Sequence, residues 1–244
     1  MTFSRKIVED YYLGSPPDLP EKILFIKRET RLAEYKSYLT EVTEFGNVWR
    51  GVTGILRGER VAILVTGIGP SMVGDAVYAV ERPGAICLYS GTCGGLATQL
   101  EIGDYFVTHK AVCGDGYSRL FGYTHLEVVN GDAQVLERLL SAFSGLGQTA
   151  MEGATFTTSS VVREHDADFW GMVSPACGII EMGCASFYAA ALKSAKRPAA
   201  YFWVTDLPTR GKRFFDPSSP EDQAVKQKTY EAMVAVDVSL LSSL

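Results

Sequence analysis

Apolar residues recur along this chain in two rhythms. Ile23 to Ile26, Val61 to Thr66, Ala85 to Tyr89, Gly178 to Met182 and Ala199 to Val204 are short apolar runs, the pattern of strands covered on both faces. Trp49 to Leu56, Tyr105 to Val112 and Gln148 to Thr157 read as further strands. Between them, Arg31 to Leu39, Ser71 to Val80, Ala133 to Leu146, Ala185 to Ser194 and Pro220 to Leu241 read as helices. This alternation predicts an α/β fold, a three-layer α/β/α sandwich. Stretches such as Tyr105 to Val112 exceed what a simple doubly wound sheet needs, so a mixed, partly barrel-like central sheet is expected. The Gly14-Ser15-Pro16-Pro17-Asp18-Leu19-Pro20 joint sets off residues 1–20 as an amino-terminal arm carrying a short helix, with residues 21–244 as a single domain.

Charge narrows the function. With 23 Lys plus Arg against 28 Asp plus Glu, the net charge is −5, and the one dense basic cluster is Arg210, Lys212 and Arg213. That balance argues against nucleic acid as a partner and leaves room for a phosphate-sized ligand. No apolar run is long enough to span a membrane, and Met1 to Asp10 lacks the apolar stretch of a signal peptide, so no membrane association and a cytoplasmic location are expected. Cys87, Cys93, Cys113, Cys177 and Cys184 form no Cys-x-x-Cys pair and read as core thiols. His109, His125 and His165 lie far apart, so no metal site is expected.

Four segments could carry chemistry. In Val65-Thr66-Gly67-Ile68-Gly69-Pro70-Ser71 a strand runs into two glycines, with Pro70 placed as the first residue of a helix. Unpaired N–H groups there make either an anion site or a plain tight turn. The third glycine of a dinucleotide fingerprint is absent, since Met72 stands in its place. In Ser90-Gly91-Thr92-Cys93-Gly94-Gly95 glycines at a strand's carboxyl end allow close backbone approach to a ligand, and Thr92 offers a hydroxyl or merely caps the turn. Glu181-Met182 places a carboxylate before an Ala-rich helix, as a helix-start residue or a ligand group. Tyr201 to Asp206 ends an aromatic strand on a carboxylate, a helix cap or turn residue if taken alone.

In this order and spacing the four segments resemble the nucleoside phosphorylase and nucleosidase superfamily, which includes purine nucleoside phosphorylase, uridine phosphorylase, methylthioadenosine nucleosidase and AMP nucleosidase. The likeness spans essentially the whole chain. It implies phosphate or anion binding by Gly67, Gly69, Arg31, Arg50 and Thr92, ribose binding by Thr92, Glu181 and Met182, and a base site of Gly94, Phe156, Val161, Asp206 and Lys226. Asp206 would protonate the purine, and Glu181 or Glu29 would activate water. Val161 falls where the family usually has a base-stacking aromatic, so Phe156, Phe169 or Trp170 is expected to supply stacking. Arg50 would reach into a neighbouring subunit, which implies a homo-oligomer, a dimer or a hexamer.

Three positions depart from the pattern. Tyr89 replaces a phosphate-binding arginine, Lys27 the first-loop glycine, and Gly183 a second glutamate that binds ribose hydroxyls. The stretch Cys93 to Tyr105, and Thr157-Thr158 followed by Asp166 to Trp170, resemble AMP and methylthioadenosine nucleosidases more than phosphorylases; the Lys6-Ile7-Val8-Glu9 segment and the Pro208 to Asp216 loop resemble short bacterial AMP nucleosidases, and Arg210, Lys212 and Arg213 would suit a 5′-phosphate. The resemblance therefore implies cleavage of the N-glycosidic bond of a purine nucleoside or nucleotide, with hydrolysis preferred. The alternatives are a purine nucleoside phosphorylase, with inorganic phosphate as co-substrate and no other cofactor, and a catalytically silent nucleoside-binding protein on the same fold.

Overall fold

The computed structural model describes residues 5–173 and 175–244; Met1 to Ser4 of the expected arm lie outside the described residues. Helix α1 (Arg5–Leu13) precedes strand β1 (Lys22–Ile26), helix α2 (Leu32–Lys36), strands β2 (Thr40–Gly46), β3 (Arg50–Leu56) and β4 (Glu59–Val65), and helix α3 (Pro70–Ala79). Strands β5 (Ile86–Gly95), β6 (Tyr105–Gly114) and β7 (Val128–Asn130), helix α4 (Ala133–Gly145), strands β8 (Ala150–Thr158) and β9 (Cys177–Glu181), helix α5 (Cys184–Lys193), strand β10 (Arg197–Asp206) and helix α6 (Pro220–Ser243) follow. The expected α/β sandwich and the mixed sheet are both present. Strands β5, β10, β6, β8 and β9 close into a five-membered ring, and β1, β4, β3 and β2 extend from β5 as an open wing.

Side-chain alternation explains the two helical layers. Ile23 and Phe25 of β1, Cys87 and Tyr89 of β5, and Phe202 and Val204 of β10 pack with α3 and α5. Their neighbours Leu24, Ile26, Leu88, Tyr201 and Trp203 pack with α2, α4 and α6 on the other face. Burial on both faces is why these strands read as unbroken apolar runs. Residues 5–20 are not detached from this body: Leu13 and Leu19 are buried in its core, and Tyr12 stacks on Trp49 with centroids 4.6 Å apart. Among the described residues no helix is long and apolar enough to cross a membrane, and no disulfide links the five buried cysteines.

Two elements differ from the sequence pattern for identifiable reasons. Strand β2 is almost wholly exposed and pairs only with β3, so it carries no buried face for periodicity to reveal. Strand β5 continues through Gly91, Thr92, Cys93, Gly94 and Gly95, where the glycines suggest a loop, because β10 pairs with it from Ile86 to Gly94.

Helix α6 is fastened by a buried carboxylate. Ser219 caps it by accepting from the Asp222 N–H at 3.1 Å, with Pro220 as its first residue. Further along, Asp237 accepts hydrogen bonds from Tyr35 of α2, Tyr201 of β10 and, at 3.0 Å, Ser90 of β5. Burial pushes the Asp237 carboxyl up to about 6, while the three hydroxyl donors oppose that shift. Replacing Asp237 by Ala strands these buried hydroxyls, so Asp237→Ala should lower unfolding free energy by about 2–4 kcal/mol in urea denaturation with little change in the slope of the transition.

Candidate active site

One edge of β5 is shared by two strands. β1 pairs with Ile86 to Ser90 and β9 with Gly94 and Gly95, so Gly91, Thr92 and Cys93 lie between the two partners on that edge. The carboxyl ends of β1, β9 and β10 converge there, at the place where α/β sheets commonly bind ligands. Two adjoining cavities open at this point, sharing Lys27, Arg28, Thr92, Thr205 and Phe214. One is lined further by Gly94, Val161, Glu164, Glu181, Met182 and Asp206. The other lies toward α6 and is lined by Arg31, Trp203, Tyr230 and Met233.

Glu181, at the end of β9, is held rigidly. Its Oε1 accepts from the Thr157 hydroxyl at 2.8 Å and from the Cys184 N–H at 2.7 Å, placing negative charge at the start of α5. Its Oε2 is buried without a hydrogen-bond partner and lies 3.9 Å from the Lys27 ammonium. Lys27 donates to the Thr92 carbonyl at 3.0 Å and lies 5.6 and 5.2 Å from the ring centroids of Tyr89 and Phe202. Burial depresses the Lys27 pKa, and the Glu181 charge opposes that shift. Its chain crosses β5 directly over Gly91, where a Cβ would sit 2.5 Å from Lys27 Cε.

The other two departures are sterically coupled. A Cβ at Gly183 would lie 2.9 Å from the Tyr89 hydroxyl and 3.0 Å from Val73 Cγ2. Tyr89 stacks on Phe187 and keeps a buried hydroxyl with no hydrogen-bond partner. The tyrosine thus fills the space a side chain at 183 would need.

Asp206 ends β10 in the same cavity as Glu181. Its Oδ1 accepts from Thr205 at 2.7 Å, and its Oδ2 would lie 2.9 Å from a Cβ at Gly94, so glycine lets the carboxyl lie against β5. Burial raises its pKa to about 6, against the Thr205 hydrogen bond and the Lys226 charge. Glu164, in the short 3-10 turn Val162–His165, lines the same cavity and is pushed up to about 8, first by burial and then by the charge of Asp206. The sequence pattern gives no sign of Glu164, because the turn around it carries charges on both sides. Arg163 pairs with Asp166 and Asp168 at the surface while Glu164 turns inward.

The structure brings Thr92, Gly94, Val161, Glu181, Met182 and Asp206 together and leaves other candidates elsewhere. Arg31 is buried, donates to the Tyr230 carbonyl and Glu34, and sits 4.0 Å over the Tyr230 ring. Arg50 is exposed and pairs with Glu29 at 2.8 Å, so neither Arg50 nor Glu29 faces the cleft. Phe156 and Phe169 are packed behind it, with Trp170 against them. The aromatic ring in the lining is Phe214, which sequence reasoning did not single out. Lys226 bonds to Ser218 at 2.7 Å, Arg210 to Glu101 at 2.9 Å and Lys212 to Asp222 at 2.7 Å. The turn at Gly67 and Gly69 has φ of +83° and +108° and presents Ile68 to the cleft.

Comparison with known proteins identifies the family. A family model described as the phosphorylase superfamily matches residues 23–236, and the chain belongs to that superfamily of nucleoside phosphorylases and nucleosidases. It is 24% identical over 203 residues to a DeoD-type purine nucleoside phosphorylase of Myxococcus xanthus, covering 82% of each chain. It is 28% identical over 125 residues to a 5′-methylthioadenosine/S-adenosylhomocysteine nucleosidase of Listeria welshimeri, a match spanning 46% of this chain and 54% of the relative. Its fold matches uridine phosphorylase of Vibrio fischeri with a TM-score of 0.76 at 13% identity, covering 93% of both chains. It also matches the Neisseria meningitidis 5′-methylthioadenosine/S-adenosylhomocysteine nucleosidase bound to methylthio-immucillin-A, with a TM-score of 0.70 at 15% identity, covering 91% of this chain and 96% of that one.

The coupling of Tyr89 and Gly183 is measurable. Gly183→Ala should cost about 1–3 kcal/mol by overpacking, and Tyr89→Phe, which removes the opposing hydroxyl, should relieve a good part of that cost. A double-mutant cycle from denaturation curves reads this coupling directly, and strict additivity would refute it.

Proposed function

We propose that this cleft hydrolyses the N-glycosidic bond of a purine nucleoside or nucleotide, releasing the free base and the sugar. The observation that carries the reading is Lys27. Phosphorolysis requires a phosphate held beside the sugar by uncommitted positive charge. Here the ammonium is bonded to Thr92 and faces Glu181, Arg31 is tied to Tyr230 and Glu34, and Arg50 to Glu29. Arg28 lines both cavities from an exposed position, where a substrate's 5′-phosphate would meet it. The nucleosidase relatives support the same reading. The Myxococcus relative favours phosphorolysis as the second reading, with phosphate as co-substrate.

Breaking C1′–N9 places positive charge on the sugar and negative charge on the base. Asp206 answers the second by donating a proton to purine N7. With its pKa near 6, keeping it protonated at pH 7 costs about 1.4 kcal/mol, against roughly 4 kcal/mol for an unperturbed aspartate. Water attacks C1′ as N9 departs, and its proton passes to Glu181 Oε2, the buried oxygen left without a partner. Thr92 and Met182 border the sugar, and Val161, Gly94 and Phe214 border the base. A homo-oligomer, with Arg50 presented at its surface, belongs to this reading.

Incubation with adenosine, inosine, guanosine, AMP, methylthioadenosine and uridine, each with and without phosphate, is expected to release purine base without phosphate. Release only with phosphate would make the protein a phosphorylase, and binding without release a silent receptor. Asp206→Asn should lower turnover at least about tenfold with the fold intact. Because the competent Asp206 is protonated, kcat/KM should fall as pH rises above about 6.

A further inference from the structure

The cleft contains a third carboxyl, which the mechanism above does not use. Glu164 is 4% exposed, and its backbone is fully engaged: its N–H donates to the Val161 carbonyl at 3.2 Å and its carbonyl accepts from Trp170 Nε1 at 3.0 Å. Its side chain does none of the usual structural work. Oε2 is buried with no hydrogen-bond partner, and no ion pair forms to Glu164 among the described residues. A buried polar atom left so in the wall of a cavity calls for a partner, and a ligand in that cavity can supply it. The cavity that Glu164 lines is also lined by Gly94, Val161 and Asp206, the end proposed for the base.

We propose that Glu164 is a second base-binding acid, entering the cleft as a neutral carboxyl that donates its O–H to an acceptor on the purine edge and accepts from an adjacent N–H. A neutral carboxyl carries one donor and one acceptor side by side, which matches a purine edge that presents both, whereas a carboxylate only accepts. The groups facing it favour the neutral form. Asp206 at the end of β10 is of like charge, and Glu181 of β9 lies in the same cavity, its charge set against Lys27 of β1. Arg213, on the loop after β10, pulls the other way without bonding to it, Arg28 lines the exposed rim, and Lys226 of α6 acts on Asp206. Arg163 and His165 flank it, the former committed to Asp166 and Asp168 and the latter set against Phe215. The value of about 8 for Glu164 agrees with a neutral group at pH 7, and with Asp206 it forms a pair that gives up two protons in separate steps.

This inference rests on the purine-cleaving reading of the cleft, and the test separates the two. Adenine binding by calorimetry and kcat/KM for the substrate found in the panel are measured from pH about 6 to about 9.5, spanning both ionisations. In the wild type, adenine affinity should weaken and the fall of kcat/KM should steepen from one proton to two above pH about 8. Glu164→Ala should weaken adenine binding at least about tenfold at pH about 7. Glu164→Gln, whose amide keeps one donor and one acceptor, should recover most of that loss, and the steepening above pH about 8 should vanish. If the protein cleaves a purine nucleoside but Glu164→Ala binds adenine as wild type does, or Glu164→Gln keeps the second proton, the role of Glu164 is overturned and the function stands. If the wild type neither binds adenine nor releases base, both fall.

Discussion

The active cleft depends on a strand with too many neighbours. β5 is buried on both faces, paired with β10 along one edge, and shared on the other between β1 and β9. Two strands cannot occupy one edge at the same height, so the sheet divides at Gly91, Thr92 and Cys93. β1 leads into the open wing and β9 closes the ring. Every residue given a chemical role here sits within a few positions of that division or on a loop facing it. The division also requires small residues, since Lys27 crosses at Gly91 and Asp206 lies against Gly94.

Several unsatisfied polar atoms lie around the same point. Tyr89 Oη, Glu181 Oε2 and Glu164 Oε2 are buried without hydrogen-bond partners and surround or underlie the cleft, while Trp49 Nε1 is left so away from it. Asp237, deeper in the core, receives three hydroxyls, and Asp132 caps α4 while gripping Arg197 through paired bonds of 3.0 Å. Beside so fully satisfied a group as Asp237 the open carboxyl of Glu164 stands out, and the proposed ligand role accounts for it.

The sandwich was legible because β1, β5 and β10 feed two cores with alternate residues and α4 carries a strong helical period, although α6, the longest helix, shows almost none. What lay at the surface or ran against local propensity was not. β2 exposes nearly every side chain, and the glycine run of β5 is held as a strand only by β10. Glu181 and Asp206 end the apolar runs of β9 and β10, and Thr92 follows that of β5, which is why the sequence places all three at the carboxyl ends of strands that meet in one cavity. Arg31 and Phe156 were placed by resemblance, and in the structure Arg31 is bonded to Tyr230 and Phe156 lies in the core behind the cleft, whereas the expected reach of Arg50 into a neighbouring subunit concerns the assembly and not the single chain. Glu164 left no trace in the pattern, since its burial comes from a turn whose direction is set by tertiary packing.

Desolvation drives three titratable groups of the cleft toward their neutral forms. It raises Asp206 and Glu164 and lowers Lys27. A phosphate entering here would meet Arg28 at the rim, whereas the deeper Lys27 is bonded to Thr92 and set against Glu181. The acids meanwhile gain strength as donors where the departing base needs them. Replacing the expected arginine by Tyr89 fits this scheme, because a ring adds bulk and exclusion of water where a guanidinium would have added charge. In the proposed reaction, acid assistance to the leaving base would draw on the same burial that holds the ends of β1, β5, β9 and β10 together.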